Sequence, residues 1–456
     1  MTNTTPTDEE LQSAAHSLRE NHPSLGITKL LSQLKIDHPE WAVSEKRFKK
    51  FITPSTSSAT STNNGSQSSK GNSSAEDGLI AKTGIDPLLD ISSIAPKIKV
   101  KMFNVQGKGK GLVAKEKLQV GELVWQEEPW IATNDSDLTP YLSSREMCSQ
   151  CLTLFPQPNP PLSVPCKYCA EVHFCNRRCY AKAVDQGTHN DYLCPGQNRE
   201  CKALLSFINQ KKARDIQGVA RIIAQWRKYR DLGETKKAEE VEKRVWGVMA
   251  RISQRVKEAE RREWPYIAED RLEEWRLTHL LILRALNPSN EEDQESYKSF
   301  QRFLSTKKKN IPPLSKEEEE RWFSFDSFLE LLGLIGLNQE SSGGLYALHS
   351  HLNHNCEPNL QVRNLPKNWT PPTTLPADLP PPMTAATRGT NKISTIVKKT
   401  IHPGDELTIS YVDQRLSRVE RRVKLREQYG FWCGCNRCMR EKKEEELAEK
   451  KEKENN

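Results

Sequence analysis

The cysteines and histidines are the residues with the clearest chemical pattern. The chain of 456 residues has 12 cysteines and 10 histidines. Eight of these residues lie close together in sequence: Cys148, Cys151, Cys166, Cys169, Cys175, Cys179, His189 and Cys194. Zinc takes four Cys or His ligands at tetrahedral angles, and a Cys-x₂-Cys turn places two thiolates on one ion. The group therefore predicts two structural zinc sites, because the protein fills every ligand position.

A second cluster is one ligand short of a tetrahedral zinc site. It consists of three residues in "CGCNRC": Cys433, Cys435 and Cys438. Two cysteines lie outside both groups. Cys201 is in a helical pattern, where a free thiol is usually a core residue, whereas Cys356 lies in "NHNCEPN" beside Asn353 and His354. We predict that Cys356 is the fourth ligand of a third zinc ion.

The stretch "NHNCEPN" also permits a different chemistry. A thiol beside an imidazole can act as a nucleophile with its base, as in a hydrolase. That interpretation explains neither the other cysteines nor the glycine turn "GKGKG" at residues 107–111. The turn itself fits neither the dinucleotide fingerprint nor the phosphate loop. The pattern therefore favours a metal ligand at Cys356 over a nucleophile.

Four motifs, taken in order, resemble those of the SET and MYND domain family of protein lysine methyltransferases, particularly its fungal members with an N-terminal helical extension. "GKGKGLVA" resembles the N-terminal Gly-x-Gly turn, and "NHNCEPN" the Asn-His-Ser-Cys-x-Pro-Asn signature. "GDELTISYVD" resembles the Gly-Glu-Glu-Leu…Tyr segment, and "CGCNRC" the post-SET zinc motif. The cluster of eight ligands resembles a MYND finger. The resemblance covers residues 98–440, although the middle helices match only in position.

The resemblance implies an α+β fold: a SET β-sheet core of the β-clip type, an inserted MYND zinc finger, a helical insert and a cysteine-rich post-SET zinc segment. It assigns 98–147 and 341–413 to the SET domain, 148–194 to the finger and 414–440 to the post-SET segment. Composition and periodicity predict five further segments: helical extension 1–53, disordered Ser/Thr/Asn/Gly linker 54–79, helical insert 200–340, proline-rich loop 365–390 and charged tail 441–456.

Two local predictions can be compared directly with a structure. In the extension, Phe48, Phe51 and Ile52 are expected on one helical face. In "GKGLVAKEKLQVGELVWQEEPWIA", apolar and polar residues alternate between glycines, which is typical of a β-hairpin or meander.

The resemblance also implies ligand sets and site residues. Interleaved pairing gives one zinc ion Cys148, Cys151, Cys175 and Cys179, and the other Cys166, Cys169, His189 and Cys194. The last pair is His-x₄-Cys, where the family more often has His-x₃-Cys. The methyl donor S-adenosylmethionine would be held by Lys110, Gly111, Asn353, His354, Tyr411 and Phe431. Tyr411 would be the catalytic residue, and Trp432 would close the channel.

The implied activity is methyl transfer to lysine in a protein, with histone tails as the favoured substrates and three zinc ions per chain. The finger would dock a proline-containing peptide or nucleic acid. The alternative is an adaptor in a transcriptional complex whose SET region is inactive. Asn353, His354 and Tyr411 are all present, which argues against loss of activity.

Composition sets wider limits. The formal net charge of +8 permits an acidic partner without requiring one. The basic helix "SEKRFKKFI" could contact nucleic acid, but a solvated face is the simpler interpretation. The N-terminus is polar, and the longest apolar stretch, "FLELLGLIGL", is too short to span a bilayer. We expect a soluble protein of the nucleus or cytoplasm, with reduced cysteines and no membrane contact.

Overall fold

The computed structural model describes residues 5–21, 27–44, 47–48, 79, 81–103, 108–156, 163–259, 269–307, 310–341, 343–366, 369–370 and 389–455. The chain divides into two compact units, Met1–Asn72 and Ser73–Asn456. The predicted linker, apart from residue 79, and most of the proline-rich loop lie outside the described residues. Over the described ranges, every helix is too short or too polar to cross a lipid bilayer.

Among its described residues, the N-terminal unit contains the helices α1 (Asp8–Asn21) and α2 (Ile27–Asp37). Their apolar residues recur at helical spacing and form a small core that includes Leu11, Leu30 and Leu34. Phe48 is fully buried in the same core. Its two predicted companions on that face, Phe51 and Ile52, lie outside the described residues.

The larger unit contains short strands in four small sheets. The strands are β1 (Ile98–Met102), β2 (Lys110–Ala114), β3 (Leu123–Glu127), β4 (Ile131–Ala132), β5 (Val164–Pro165), β6 (His173–Phe174), β7 (Gln339–Glu340), β8 (Gly344–Leu345), β9 (Asn353–His354), β10 (Leu360–Asn364), β11 (Ile393–Val397) and β12 (Glu406–Ile409). The sheet orders are β1-β2-β12-β9, β10-β11-β3, β4-β8-β7 and β5-β6. Strands that are distant in sequence are therefore neighbours in three of the sheets.

The hairpin prediction for the stretch that contains β2 and β3 is wrong. β2 pairs with β1 on one edge and with β12 on the other, and β3 pairs with β11 in a different sheet. All five residues of β2 are buried. Alternation along one segment shows which face of a strand is apolar but not which strand becomes its neighbour.

The parallel pairing of β9 with β12 is the feature of the sheet that matters most for the site. Thr408 lies opposite Asn353, and Ile409 lies opposite His354. The backbone N–H of Asn355 donates to the carbonyl of Ile409 over 2.8 Å and extends this contact. The "NHNC" segment is thereby held beside the end of the strand that leads into Tyr411.

The larger unit also contains helices, most of which lie between β4 and β7 in sequence. They begin with α3 (Ile91–Ile94), α4 (Thr139–Ser143), α5 (Arg177–Asp185), α6 (Cys201–Lys211), α7 (Arg214–Leu232) and α8 (Thr235–Glu242). A π-helical turn at Lys243–Val248 follows, and then α9 (Gln254–Ala259), α10 (Glu269–Leu286), α11 (Gln294–Ser305), α12 (Lys316–Phe323) and α13 (Phe325–Asn338). The last helices are α14 (Arg418–Tyr429) and α15 (Asn436–Asn455). Helix α15 crosses the boundary predicted between the post-SET segment and the charged tail.

Helix α7 is the centre of the helical region. It is buried along most of its length, and its Trp226 ring stacks on Trp322 of α12 with centroids 4.6 Å apart. Gly218 allows α13 to approach closely, since a Cβ there would lie 2.7 Å from the Cδ1 atom of Ile335. The helices thus form one large apolar core, distinct from the core of the strands.

Gly333→Ala is expected to lower the free energy of unfolding by about 1–3 kcal/mol, the usual cost of overpacking a core. A Cβ at Gly333 would lie 1.7 Å from the backbone oxygen of Ile252, so backbone must move. Gly336→Ala in the same helix is the matched control, because its Cβ meets only the end of one side chain, Nζ of Lys257 at 3.3 Å, and no backbone atom. The control should be neutral or gain up to about 1 kcal/mol from helix propensity. Urea unfolding measures both, and equal effects would contradict the packing described.

Candidate active site and zinc sites

Tyr411 lies two residues beyond β12. Its hydroxyl donates a hydrogen bond to the backbone oxygen of Leu352 over 2.5 Å. Its ring lies 4.6 Å from the ring of Tyr429, the last residue of α14. Burial raises the pKa of Tyr411 above its ordinary value. The phenol is therefore neutral. Its position is fixed by the hydrogen bond of its hydroxyl and by the contact of its ring with the Tyr429 ring.

His354 holds the backbone of Tyr411 in place. Its Nδ1 accepts the N–H of Tyr411 over 3.0 Å, and its Nε2 lies 3.3 Å from Sγ of Cys356. Burial lowers the pKa of His354 to about 4. The neutral ring accepts at Nδ1, so Nε2 carries the proton and can donate to the sulfur. Its ring centroid is also 6.1 Å from that of Phe431.

Asn353 ties three strands together. Its Nδ2 donates to the backbone oxygen of Lys110 and to Oε1 of Glu406, both over 2.9 Å. A Cβ at Gly111 would lie 2.8 Å from this Nδ2 and 2.4 Å from the Phe103 ring. Glycine is thus needed at 111 for the protein's own packing as well as for any approach of a ligand.

The side chain of Lys110 has a partner within the protein and is not available to the predicted methyl-donor site. The side chain is buried, and Nζ donates to the carbonyl of Val248 over 2.7 Å. Burial lowers the pKa of Lys110 to about 7. The side chain therefore anchors the π-helical turn of the helical region to β2, which leaves only the backbone of Lys110 to contact a methyl donor.

A cavity of about 230 Å³ lies beside Tyr411. Tyr411 and Tyr429 line it together with Ser410, Glu340, His349 and Ser350. Burial, together with the negative charge of Glu340, raises the pKa of Tyr429 to about 12. The lining is rich in oxygen acceptors, so its chemistry suits a positively charged guest.

Two groups of four potential ligands lie in the segment 148–194. They are Cys148, Cys151, Cys175 and Cys179, and Cys166, Cys169, His189 and Cys194. In each group the ligand atoms all lie within 4.8 Å of one another. This is the interleaved grouping implied by the resemblance, and it includes His189 of the His-x₄-Cys pair.

Local structure positions these ligands. The hairpin β5–β6 and helix α5 form the frame of the segment, and the Asn176 side chain begins α5 by accepting the N–H of Cys179 over 2.9 Å. The Sγ atoms of Cys151 and Cys175 are 3.9 Å apart, and those of Cys166 and Cys194 are 3.8 Å apart. Zinc–sulfur bonds of about 2.3 Å at tetrahedral angles require a sulfur separation of about 3.8 Å. Both groups therefore fit zinc.

A third group joins the segment that follows β9 to the segment between α14 and α15. It consists of Cys356, Cys433, Cys435 and Cys438. Sγ of Cys356 lies 3.8 Å from that of Cys433 and 3.6 Å from that of Cys438. Such spacing is too long for a disulfide of about 2.05 Å and fits tetrahedral zinc. Cys201 stays apart from the groups, buried in the helical core with Sγ donating to the carbonyl of Asn198, as predicted for a core thiol.

Arg421 lies next to the third group. It is fully buried, its Nη2 approaches Sγ of Cys438 at 3.9 Å, and it forms an ion pair with Glu441. Four thiolates on a divalent ion leave a net negative charge, and a neighbouring guanidinium offsets it. Trp432 was predicted to close the channel. The Cζ atom of Arg422 lies over the Trp432 ring, 5.1 Å from the ring centroid. Trp432 is not among the residues that line the cavity.

Sequence reasoning missed four residues of this region: Glu340, His349, Glu406 and Tyr429. Glu406 stands in the quoted "GDEL", and Tyr429 comes directly before Gly430, whose φ of 80° ends α14. The three histidines of "HSHLNH" were a signal for His349. Nothing in the sequence pointed to Glu340.

Comparisons with known proteins agree with this geometry. A family model described as "SET domain" matches residues 109–412, from the glycine turn to the residue after Tyr411. "Histone-lysine N-methyltransferase SET5" of Mycosarcoma maydis is 29% identical over 442 residues, 90% of this chain and 82% of the relative. SET5 of Yarrowia lipolytica is 25% identical over 472 residues, 97% and 84% of the two chains. A SET and MYND domain-containing protein of Dictyostelium discoideum is 30% identical over 172 residues, 34% and 42% of the two chains.

The predicted fold class is confirmed. The family match supports a SET core of mixed helix and strand, and the three cysteine-rich groups are consistent with MYND and post-SET segments. Each of the groups could hold one zinc ion.

Proposed function

Because this chain belongs to the SET-domain family, we propose that it transfers a methyl group from S-adenosylmethionine to lysine side chains of histone tails. The relatives that match most of its length are named histone-lysine N-methyltransferases. A histone substrate would place its action in the nucleus. The single observation that carries the proposal is the tyrosine-lined cavity at the end of β12.

The orientation of the Tyr411 hydroxyl supports a catalytic role. A phenol has one proton to donate and lone pairs to accept. The backbone oxygen of Leu352 accepts the hydrogen bond of this O–H group, so the lone pairs of the hydroxyl oxygen are left for a ligand in the cavity. Those lone pairs can orient the target amine and attract a nearby positive charge. The residue therefore contributes electrostatic stabilisation that exists before the reaction begins.

The methyl donor would be held by residues near Tyr411 that do not themselves line this cavity. When bound, S-adenosylmethionine supplies a methyl group activated by a positively charged sulfur. The backbone of Lys110 and Gly111, the segment Asn353–His354 and the ring of Phe431 are the proposed contacts. The oxygen-rich lining of the cavity fits a cationic donor and a cationic substrate better than it fits an anion.

The proposed zinc ions have a structural role. Four protein ligands per ion leave no open position for hydrolytic chemistry. The third group fixes the chain from Gly430 to Cys438, and so holds Phe431 against His354. Binding of zinc would thus support the donor site without contact with the reacting atoms.

The rival function is an adaptor whose finger, residues 148–194, docks a proline-containing peptide while the SET region is inactive. The intact hydrogen bonds of Tyr411, His354 and Asn353 favour the enzyme. We therefore propose peptide docking only as an accessory property of the finger.

Incubation of the full chain with radiolabelled S-adenosylmethionine and purified core histones tests the proposal. Label on lysine of intact histones, but not on histones with acetylated lysines, is the expected result. Calorimetry should show one donor molecule bound per chain. Absence of both donor binding and label would reject the enzyme and leave the adaptor.

A further inference from the structure

The cavity beside Tyr411 is lined by a carboxylate and an imidazole that have no role in the proposed reaction as described above. Oε2 of Glu340 lies 3.3 Å from Nε2 of His349. Both residues line the cavity together with Tyr411 and Tyr429. The His349 side chain is 8% exposed and that of Glu340 is 20% exposed. The carboxylate thus lies nearer the open part of the cavity, with the imidazole behind it.

His349 Nε2 is an unusual atom in this region. It is buried and has no hydrogen-bond partner, although most buried polar atoms have one. The nearby Glu340 oxygen is not aligned for a hydrogen bond in the free protein. If Nε2 of a neutral His349 carries no hydrogen, it faces the carboxylate as an acceptor, and one proton between the two atoms would give both of them a hydrogen-bond partner.

Both residues are held rigidly. Glu340 ends β7, which pairs with β8, and its backbone oxygen accepts Nη2 of Arg214 over 2.6 Å. The backbone N–H of His349 donates to Oε2 of Glu127 over 3.0 Å. Gly344 opposite Glu340 has φ of 149°, and a Cβ there would lie 2.1 Å from the oxygen of Ile131. The backbone positions of the two residues are thus fixed by the fold.

Groups of both charge signs lie around the pair. The titratable and charged groups that face it are Glu340 of β7, Glu127 of β3, Arg214 of α7, Tyr346, Tyr411 and Tyr429. Two are carboxylates close to His349, whereas Arg214 is bound to the backbone of Glu340 and to Thr133. An imidazolium ion here would therefore have an anion beside it.

We propose that Glu340 and His349 form a relay that receives the target lysine's ammonium group and removes its proton. This inference rests on the proposed methyltransferase function. The ammonium donates a proton to Oε2 of the Glu340 carboxylate, which passes the same proton to the unprotonated Nε2 of a neutral His349. The products are a neutral amine and an imidazolium–carboxylate pair. The amine's lone pair then forms the N–C bond as the S–C bond breaks, and sulfur keeps that electron pair.

The relay answers a chemical need. A free lysine has a pKa of about 10.4, so at pH 8 only about one side chain in 250 is neutral. Only the neutral amine has a lone pair for attack. A base in the cavity allows the abundant ammonium form to bind and react, and the imidazolium later loses its proton to water.

The test is the dependence of turnover on pH, with the full chain and core histones. The wild-type rate should change by much less than tenfold per pH unit between pH 7 and 9, because the abundant ammonium form reacts through the pair. His349→Asn should instead rise about tenfold per pH unit towards pH 10, because only lysine already neutral in solution reacts. The loss should be about 10²-fold at pH 8 and only a few-fold at pH 10. Glu340→Gln should raise KM for histones at least tenfold.

His351→Asn is the matched control, because His351 is buried in the same turn but binds the backbone of Ala347 and does not line the cavity. Its profile should keep the wild-type shape even if less protein folds. A wild-type rate that climbs tenfold per unit from pH 7 to 9, or an unchanged profile in His349→Asn, would overturn the relay.

A binding measurement separates this inference from the proposed function. Calorimetry with n-butylammonium as the probe should show at least tenfold weaker binding to Glu340→Gln than to wild type. If histones receive no label, the methyltransferase assignment fails, and the n-butylammonium result still decides whether the pair receives an ammonium group. Equal binding to both proteins would overturn the proposal.

Discussion

Tyr411→Phe is expected to reduce methyl transfer to core histones by roughly 10²–10³-fold, the range found when a single preorganised polar group is removed from an active site. The substitution removes the lone pairs that face the cavity and leaves the oxygen of Leu352 without its donor. The ring stays, so its contact with the Tyr429 ring is kept. Binding of S-adenosylmethionine should change by less than about threefold, because most proposed donor contacts lie elsewhere.

Tyr229→Phe is the matched control. It removes a buried hydroxyl that donates to the backbone of Asp185 over 3.0 Å, in the helical region. It should cost about 1 kcal/mol of stability and leave kcat unchanged. Steady-state kinetics and calorimetry on both variants separate the catalytic effect from a general loss of stability. A Tyr411→Phe enzyme with more than a third of the wild-type kcat would contradict the catalytic role of this hydroxyl.

Cys356→Ser is expected to reduce the zinc content from three ions per chain to two and to abolish most methyl transfer. A neutral serine hydroxyl is a poor replacement for a thiolate, and three remaining cysteines cannot close the tetrahedron. The buried charge of Arg421 would also lose part of the anionic cluster that it faces. The chain from Gly430 to Cys438 would be released, and Phe431 with it. Metal analysis and the histone assay measure the two effects.

Cys201→Ser is the control for the loss of a buried thiol. Its hydroxyl can still donate to the carbonyl of Asn198, so three zinc ions and activity within about twofold of wild type are expected. Normal zinc content and normal turnover in Cys356→Ser would show that this cysteine neither completes a third site nor supports the donor site.

The individual site residues show how far sequence reasoning reaches. The spacing of seven cysteines and His189 predicted eight ligands in one segment, three further cysteines predicted ligands in another, and the structure brings them into the expected groups. Short spacing works here because a Cys-x₂-Cys turn fixes two ligands by local geometry alone. Tyr411 was identified by its place after "GDEL" and before the cysteine run. That place gives the order of the motifs along the chain, but not the contacts of the residue.

The residues that sequence reasoning missed depend on contacts between distant parts of the chain. Glu406 meets Asn353 because β12 and β9 are parallel neighbours. The side chain of Lys110 turned out to bind Val248, 138 positions away, and not a ligand. The pairing of β2 and β3 with late strands overturned the hairpin for the same reason. No local pattern determines which strands become neighbours.

By itself, the sequence predicted the zinc ligands, mainly from residue type and short spacing, and its resemblance to the SET and MYND domain family predicted the α+β class and the position of the tyrosine. Only the tertiary structure decided what surrounds the tyrosine: a carboxylate from β7, an imidazole from the turn before β9 and a second phenol from α14 meet in one cavity. Their approach depends on the packing of three separate elements, and packing is set by the whole core and not by any one segment.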